Sequence, residues 1–235
     1  MEIRIGVAKV RKYATSESGD TLEIVERPNG GLSVVLADGQ TSGLGAKRIA
    51  NMVVRKVVSL LAEGVRDGAA ARAASDYLFT ERQGRVQATL NILSVDLQTQ
   101  TLVITRNNPA PVVLYLGEAL RTLDDMSQPI GLQRNTRPVV SELPLEVGLT
   151  VVMYTDGLVH AGTRTGQRLD LLQLLQAWLE DAESVDAQQV ADALLAEALR
   201  LDQGRPVDDI SVVVLHIARE TDPHGIRRMS ARLPL

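Results

Sequence analysis

Apolar and polar residues alternate in two segments near the amino terminus, as they do in β-strands that bury one face. This alternation predicts strands over residues 3–12 and 22–26, and an apolar run predicts a third strand over residues 32–37. Residues 28–31, Pro-Asn-Gly-Gly, predict the turn that joins the last two strands, because proline and glycine favour turn conformations. The amino-terminal part of the chain is therefore expected to be all β.

From residue 46 the spacing changes to that of one face of an α-helix. Ile49 and Val53 begin a series of apolar residues three or four positions apart, and Gly64 ends it. An alanine-rich segment over residues 68–79 predicts a second helix. Two consecutive helices followed by strands indicate the α+β class.

The rest of the chain returns to strands and then adds two amphipathic helices before a last strand. This strand is nearly all apolar, which predicts a central position in a sheet. Sheets packed together and flanked by helices are the expected arrangement. Strands are predicted over residues 86–95, 101–105, 112–116, 136–143, 150–154 and 210–217, a hairpin turn over 97–100, and helices over 169–179 and 187–201.

The length and composition fit one large core. The chain has 235 residues, of which 45% are hydrophobic and 23% are charged. We expect a single domain over residues 1–218 and a carboxy-terminal tail over residues 219–235. The tail carries Arg227, Arg228 and Arg232, so it is expected either to be disordered or to dock on an acidic partner.

Composition also excludes several classes of function. With no cysteine and only three histidines, any metal must be bound by oxygen ligands rather than by thiolates or an imidazole cage. A net charge of -4 and an aromatic content of 3% disfavour nucleic acid as a partner. No apolar stretch approaches the roughly 20 residues of a membrane span, and the amino terminus lacks the pattern of a signal peptide. A cytoplasmic protein without a membrane partner is therefore expected.

The chain contains four short acidic motifs, each beside a predicted strand. An aspartate at the end of a strand lies at a sheet edge, where loops gather functional residues. No lysine or arginine lies within these motifs, so clustered carboxylates would repel one another unless a hard divalent cation bound them. The motifs are Ser18-Gly19-Asp20, Ala37-Asp38-Gly39, Tyr154-Thr155-Asp156-Gly157 and Val207-Asp208-Asp209.

The order of these motifs resembles the protein phosphatase 2C superfamily. The resemblance covers residues 18–217, and it includes Ser42-Gly43 before the first helix and the Gln-Pro-Ile-Gly-Leu sequence of residues 128–132. The chain is most similar to the bacterial branch of sporulation stage II protein E and the phosphatases of sigma-factor partner switching and stressosomes. This resemblance implies a four-layer α+β fold, in which two packed, mainly antiparallel sheets are flanked by helices. It also implies a site for two Mn²⁺ or Mg²⁺ ions.

The resemblance assigns a role to each motif. Asp38 resembles the carboxylate that bridges both ions, and the Gly39 carbonyl resembles a further ligand. Asp156 and Asp208 resemble the ligands that complete the first ion, and Asp20 resembles the acidic residue of the second. The expected catalytic residues are Asp38, Asp156 and Asp208.

Phosphomonoester hydrolysis suits such a constellation. The uncatalysed reaction is very slow, and two cations can stabilise the charge of its transition state and lower the pKa of a shared water. The resemblance implies a serine/threonine phosphatase. Its implied substrate is a phosphorylated bacterial regulator, namely an anti-sigma factor antagonist or a stressosome protein with a STAS domain.

Several positions depart from the family pattern or stay open. Thr41 replaces a glycine of the metal loop, so either the loop differs or this position never needed a positive φ. His160 replaces an acidic residue and is expected to be a surface or packing residue, with a proton donor as the alternative. Asp209 is a supporting or alternative ligand, because the register of the two adjacent aspartates is open. Arg11 and Lys12 are weak candidates for phosphate capture.

Two other functions compete with the enzyme. A pseudophosphatase that binds the same regulator would explain Thr41 and the missing acidic residue at position 160. Retention of all four carboxylate positions argues against it, since a binding module has no need of clustered like charges. A metal-dependent nuclease is disfavoured by the acidic net charge.

Overall fold

A computed structural model describes residues 1–180, 185–220 and 224–232 of the chain. Within these ranges, two five-stranded sheets pack face to face, and every pair of neighbouring strands is antiparallel. The first sheet contains, in spatial order, Glu2–Val10 (β1), Ile210–Ala218 (β10), Thr150–Tyr154 (β9), Val112–Leu116 (β6) and Ala119–Leu123 (β7). The second contains Asp20–Glu26 (β2), Gly31–Gly39 (β3), Ala88–Asp96 (β4), Thr101–Asn107 (β5) and Val139–Pro144 (β8).

Helices cover the outer faces of both sheets. The first two pack against the second sheet, and the last two pack against the first sheet. This arrangement confirms the predicted four-layer α+β fold. No helix in the described ranges is long and apolar enough to cross a bilayer. The helices are Gly43–Ala62 (α1), Asp67–Arg82 (α2), Gly157–His160 (α3), Leu171–Glu180 (α4) and Ala187–Leu201 (α5).

Three apolar layers hold the elements together. The middle layer lies between the sheets, where alternate residues such as Leu36 of β3 and Val213 of β10 pack in one cluster. In α1, Val53 and Val57 lie on the buried stripe that packs against the second sheet. All nine residues of β10 are buried between its neighbours β1 and β9, which confirms the predicted central position.

One strand, one short α-helix and the 3-10 helix Thr163–Thr165 were not predicted. The strand β7 follows Gly117 and Glu118, which both have positive φ angles, as in the type I′ turns of tight hairpins. Its residues are mostly exposed, so the strand lacks the alternation of buried and exposed positions by which strands are recognised in a sequence. The helix α3 has only four residues, which is too few for a period of 3.6 to be recognised.

The carboxy-terminal tail leaves β10 at Ala218. Of the tail, residues 221–223 and 233–235 lie outside the described residues. Arg227 Nη1 lies 3.7 Å from Glu26 Oε1 on β2, and both side chains are largely exposed. Docking of the tail on an acidic partner stays a prediction.

The buried His216 predicts a pH dependence of stability. Its Nδ1 lies 2.9 Å from Thr150 Oγ1, and Arg4 lies directly opposite on β1. Burial and the Arg4 charge lower the pKa of His216, so the unfolded chain takes up a proton more readily than the folded chain. This imidazole therefore stabilises the fold above the ordinary histidine pKa, and the contribution is lost as the pH falls below it.

We expect urea unfolding to show that His216→Gln removes part of the stability loss between pH 8 and pH 5. The exposed His160 provides the control, and His160→Gln should leave the pH dependence close to that of the wild type. Equal pH dependence in the wild type and His216→Gln would contradict this assignment.

Candidate metal centre

The fold brings four of the predicted carboxylates to one end of the two sheets. Asp20 and Asp38 lie directly opposite each other on β2 and β3. Asp156 precedes α3, and Asp208 lies in the loop before β10. Burial raises the pKa of Asp38 to about 9, and the charges of Asp20, Asp156 and Asp208 add to this effect. The four side chains therefore form one electrostatic cluster.

Three glycines permit the close approach of the segments that carry these aspartates. A Cβ on Gly39 would lie 2.1 Å from the Ala46 carbonyl oxygen of α1, and one on Gly157 would lie 2.1 Å from the Asp209 carbonyl oxygen. A Cβ on Gly19 would lie 2.7 Å from Ala46 Cβ. Gly39 ends a strand and its φ is not positive, so packing against α1, rather than a turn, requires glycine there.

Asp20 connects the two sheets. Its fully buried carboxylate accepts hydrogen bonds at Oδ2 from Thr155 Oγ1 at 3.0 Å and from Ser211 Oγ at 2.6 Å. Its Oδ1 is buried and has no hydrogen-bond partner. Burial raises the pKa of Asp20. A buried, unpartnered carboxylate oxygen beside Asp38 fits a hard divalent cation, which would supply the missing partner.

Asp208 and Asp209 face different surroundings. Asp209 Oδ1 accepts a hydrogen bond from the Lys12 amide, and Oδ2 accepts one from the Gly19 amide, both at 2.8 Å. These bonds hold the segment that leads from β1 into β2. Asp208 is half-buried, and its pKa is raised by burial and by the nearby charge of Asp156.

Two lysines lie in the cluster, and neither was singled out from the sequence. Lys9 Nζ of β1 and Lys47 Nζ of α1 both donate hydrogen bonds to the backbone carbonyl of Asp20, the latter at 2.7 Å. Burial and the neighbouring Lys47 charge lower the pKa of Lys9. The inference that the acidic motifs lack a cationic neighbour held only for residues adjacent in sequence. No local signal marks either lysine, because each reaches Asp20 from a separate element.

The other candidates lie at the periphery. His160 Nδ1 is 3.9 Å from Asp156 Oδ2, and its side chain is exposed. The Arg11 guanidinium donates a hydrogen bond to the Ser16 carbonyl at 3.2 Å on the surface. Within the described ranges, no group of three or more histidine, aspartate or glutamate side chains is arranged so that it could hold a metal ion, although Asp20, Asp156 and Asp208 all act electrostatically on Asp38.

The metal loop keeps a left-handed residue at Thr41. Its φ is +81°, so the alternative that this position never needed a positive φ is wrong, and a β-branched residue adopts the left-handed conformation. Such a conformation costs a non-glycine residue about 1–3 kcal/mol. The loop between β3 and α1 therefore stores strain next to Asp38.

Replacing this threonine should release the strain. We expect Thr41→Gly to raise the free energy of unfolding by about 1 kcal/mol, less than the full strain because glycine gains entropy in the unfolded chain. The neighbouring Ser42 has a φ of -150°, so Ser42→Gly should instead lower stability by about 0.4–1 kcal/mol. Chemical denaturation of both variants checks this, and equal effects of the two changes would contradict the strain at Thr41.

The burial of Asp38 among other carboxylates predicts that a neutral residue at this position makes the metal-free protein more stable. Folding raises the pKa of the Asp38 carboxyl group from 3.8 to about 9. The free energy of unfolding therefore falls as the pH rises through that interval, because the folded chain holds the proton more tightly than the unfolded chain does. In the presence of EDTA at pH 8, Asp38→Asn should raise the free energy of unfolding by about 1 kcal/mol or more. The gain should shrink at pH 5. The exposed Asp124→Asn is the control, and a loss of stability in Asp38→Asn at pH 8 would contradict the cluster.

Curated relatives match most of this chain but have longer chains themselves. Stage II sporulation protein E of Bacillus subtilis (strain 168) is 23% identical over 219 residues, which are 93% of this chain and 26% of that protein. The protein of the same name from Priestia megaterium is 21% identical over 92% of this chain and 36% of its own length. This chain therefore spans about a quarter to a third of the curated relatives it matches.

Solved structures share the fold. The phosphatase domain of Bacillus subtilis SpoIIE with a fragment of its regulatory domain has a TM-score of 0.79 at 22% identity, over 92% of this chain and 64% of that chain. The structure of the RsbU and RsbW domains of a Mycobacterium tuberculosis protein has a TM-score of 0.77 at 19% identity, over 94% of this chain and 61% of that chain.

Two further homologous structures contain metal ions. The PstP catalytic domain with two manganese ions gives a TM-score of 0.70 at 16% identity, over 92% of this chain and 99% of that chain. RsbX in complex with magnesium has a TM-score of 0.69 at 15% identity, over 92% of this chain and 96% of that chain. The family model of Stage II sporulation protein E (SpoIIE) matches residues 28–218. The chain therefore belongs to the SpoIIE family and has a protein phosphatase 2C-like fold.

Proposed function

We propose that this chain hydrolyses phosphoserine or phosphothreonine with the help of two Mn²⁺ or Mg²⁺ ions. One observation carries the proposal: Asp20, Asp38, Asp156 and Asp208 meet at one end of the sheets, and a buried oxygen of Asp20 has no partner. A fold that brings like charges together loses stability unless cations bind there.

Each residue of the site would have a distinct task. Asp38, Asp156 and Asp208 would hold one ion, and Asp38, Asp20 and the Gly39 carbonyl would hold the second. Such ions, when bound, lower the pKa of water and offset charge on the phosphoryl oxygens. Thr155 and Ser211, through their hydrogen bonds to Asp20, would keep that carboxylate in place. Asp209 would position the β1–β2 segment through its two backbone partners.

Charge balance gives Lys9 and Lys47 a role in substrate binding. With Asp209 included, five carboxylates carry five negative charges, two divalent ions would carry four positive charges and the two ammonium groups carry two more, which leaves an excess of one positive charge. A phosphomonoester carries close to two negative charges at neutral pH. The two lysines would thus attract and orient the phosphoryl group, a task that was weakly assigned to Arg11 and Lys12 from the sequence.

The proposed substrate is a phosphorylated STAS-domain regulator, either an anti-sigma factor antagonist or a stressosome component. Membership of the SpoIIE family supports this substrate class, as does the likeness to a Mycobacterium tuberculosis protein that contains RsbU and RsbW domains. The chemistry at the site selects a phosphomonoester, whereas selection of the protein depends on surfaces outside it.

Hydrolysis of p-nitrophenyl phosphate with Mn²⁺ tests the proposal. We expect Asp38→Ala and Asp156→Ala to lower the rate by about 100-fold or more, because each removes an expected ligand of the ions. Asp124→Ala, an exposed aspartate outside the cluster, should keep the wild-type rate. Addition of Mn²⁺ should also raise the unfolding temperature of the wild type and not that of Asp38→Ala.

The two readouts separate the enzyme from the alternative. Stabilisation by Mn²⁺ with no turnover of p-nitrophenyl phosphate or a phosphoserine peptide would favour a pseudophosphatase. If neither Mn²⁺ nor Mg²⁺ gave stabilisation or turnover, the proposal of a metal site would itself be contradicted. Turnover that survives in Asp38→Ala would place the chemistry elsewhere.

A further inference from the structure

A second concave site lies far from the carboxylates, at the other end of α1. It has a volume of about 790 Å³ and lies between the start of α2 and the outer face of β5 and β8; we call it the arginine groove. The 20-residue helix α1 begins beside the metal loop and ends beside this groove, so about 30 Å separates the two sites. Its charged lining residues are Arg27, Arg66, Asp67, Arg72, Asp96, Arg137 and Glu142.

The groove exists because the helices are narrower than the sheet they cover. α1 packs mainly over β2 and β3, and α2 packs against α1 with few contacts to β4 and β5. The start of α2 covers only part of the outer face of β8: Gly68 approaches Val140, which is still half exposed. β8 is also an edge strand, since it pairs only with β5 in the described ranges.

The wall of the groove beside α2 is held by a buried ion pair. Arg27 Nη1 lies 2.6 Å from Asp67 Oδ1, and Nη2 donates a hydrogen bond to the Val65 carbonyl at 3.3 Å. Asp67 is 5% exposed and begins α2. These two charges offset each other, and the pair fixes the start of α2 against the β2–β3 turn.

Three further arginines face the groove without partners. Arg66 and Arg72 lie on the α2 side and Arg137 lies just before β8. All three are exposed, and within the described ranges no salt bridge or side-chain hydrogen bond engages them. Asp96 Oδ1 accepts hydrogen bonds from the Gln98 and Thr99 amides of its own turn, and Glu142 is the third carboxylate of the lining. The lining is therefore positive, with four arginines against three acidic residues, although the whole chain has a net charge of -4.

This chemistry fits an acidic peptide better than a nucleotide. Arginine pairs with carboxylates through two parallel hydrogen bonds, and arginine clusters recognise acidic segments. The groove contains no aromatic side chain on which a base could stack. Instead, Val103 and Val140 provide an apolar strip beside a free strand edge, which suits an extended chain with alternating side chains.

We propose that the arginine groove binds an extended acidic segment of a partner protein. Its carboxylates pair with Arg66, Arg72 and Arg137, and its apolar side chains lie over Val103 and Val140. The site is independent of the metal centre, so it supplies protein recognition that p-nitrophenyl phosphate does not require.

A fluorescein-labelled peptide of alternating glutamate and valine, followed by fluorescence anisotropy at low salt, tests the proposal. We expect saturable binding that weakens at least 10-fold in the double variant Arg72→Glu/Arg137→Glu. The matched control is Arg55→Glu, which reverses an exposed charge on α1 outside the groove and should bind as the wild type does. A peptide of alternating lysine and valine should not bind to the wild type.

Further measurements make a failure interpretable. The double variant should keep the wild-type unfolding midpoint and the wild-type rate on p-nitrophenyl phosphate. Loss of peptide binding at the groove can then be distinguished from loss of the proposed phosphatase activity. Equal peptide binding by the wild type and the double variant would overturn the proposal, as would equal loss in Arg55→Glu. Displacement of the peptide by ATP at lower concentration than by unlabelled peptide would show a small-molecule site instead.

Discussion

Mutual repulsion among four carboxylates is the condition that the rest of this structure must satisfy. Asp38 lies among Asp20, Asp156 and Asp208, and burial strengthens the effect because it removes the water that would screen them. Solved structures of the same fold, PstP with manganese and RsbX with magnesium, contain such cations. In this chain, binding of cations at the cluster is the proposal that would relieve the repulsion.

The surrounding framework holds these charges in place from several directions. Asp20 bonds to Thr155 and Ser211 across the two sheets, so its carboxylate cannot turn away from Asp38 without breaking buried hydrogen bonds. Asp209 bonds to two amides of the β1–β2 segment. Glycines at the contacts with α1 and β10 let the backbones approach where any side chain would collide. Asp20 and Asp38 thus lie in paired strands of the sandwich, whereas Asp156 and Asp208 lie in the segments after β9 and before β10.

The two ends of the molecule differ in chemistry. One end carries clustered aspartates with two lysines, which suits ions and a phosphoryl group. The end of α1 farther from them carries unpaired arginines above an uncovered part of the sheet. A phosphatase that acts on proteins needs both kinds of chemistry, because a phosphoryl group alone does not distinguish one protein from another.

The sequence by itself determined the fold class and the position of each aspartate along the chain, because period and strand-end motifs are local properties. It also marked Thr41 as a departure, but not that this residue adopts a φ of +81°. Only the tertiary structure decided that Asp209 bonds to the backbone while Asp208 lies near Asp156, and that Lys9 and Lys47 reach Asp20. These relations join residues far apart in the chain, such as Asp20 and Ser211, which are 191 positions apart. The pairing and packing of the sheets determine which of these distant residues come into contact, and no pattern of neighbouring residues in the sequence predicts it.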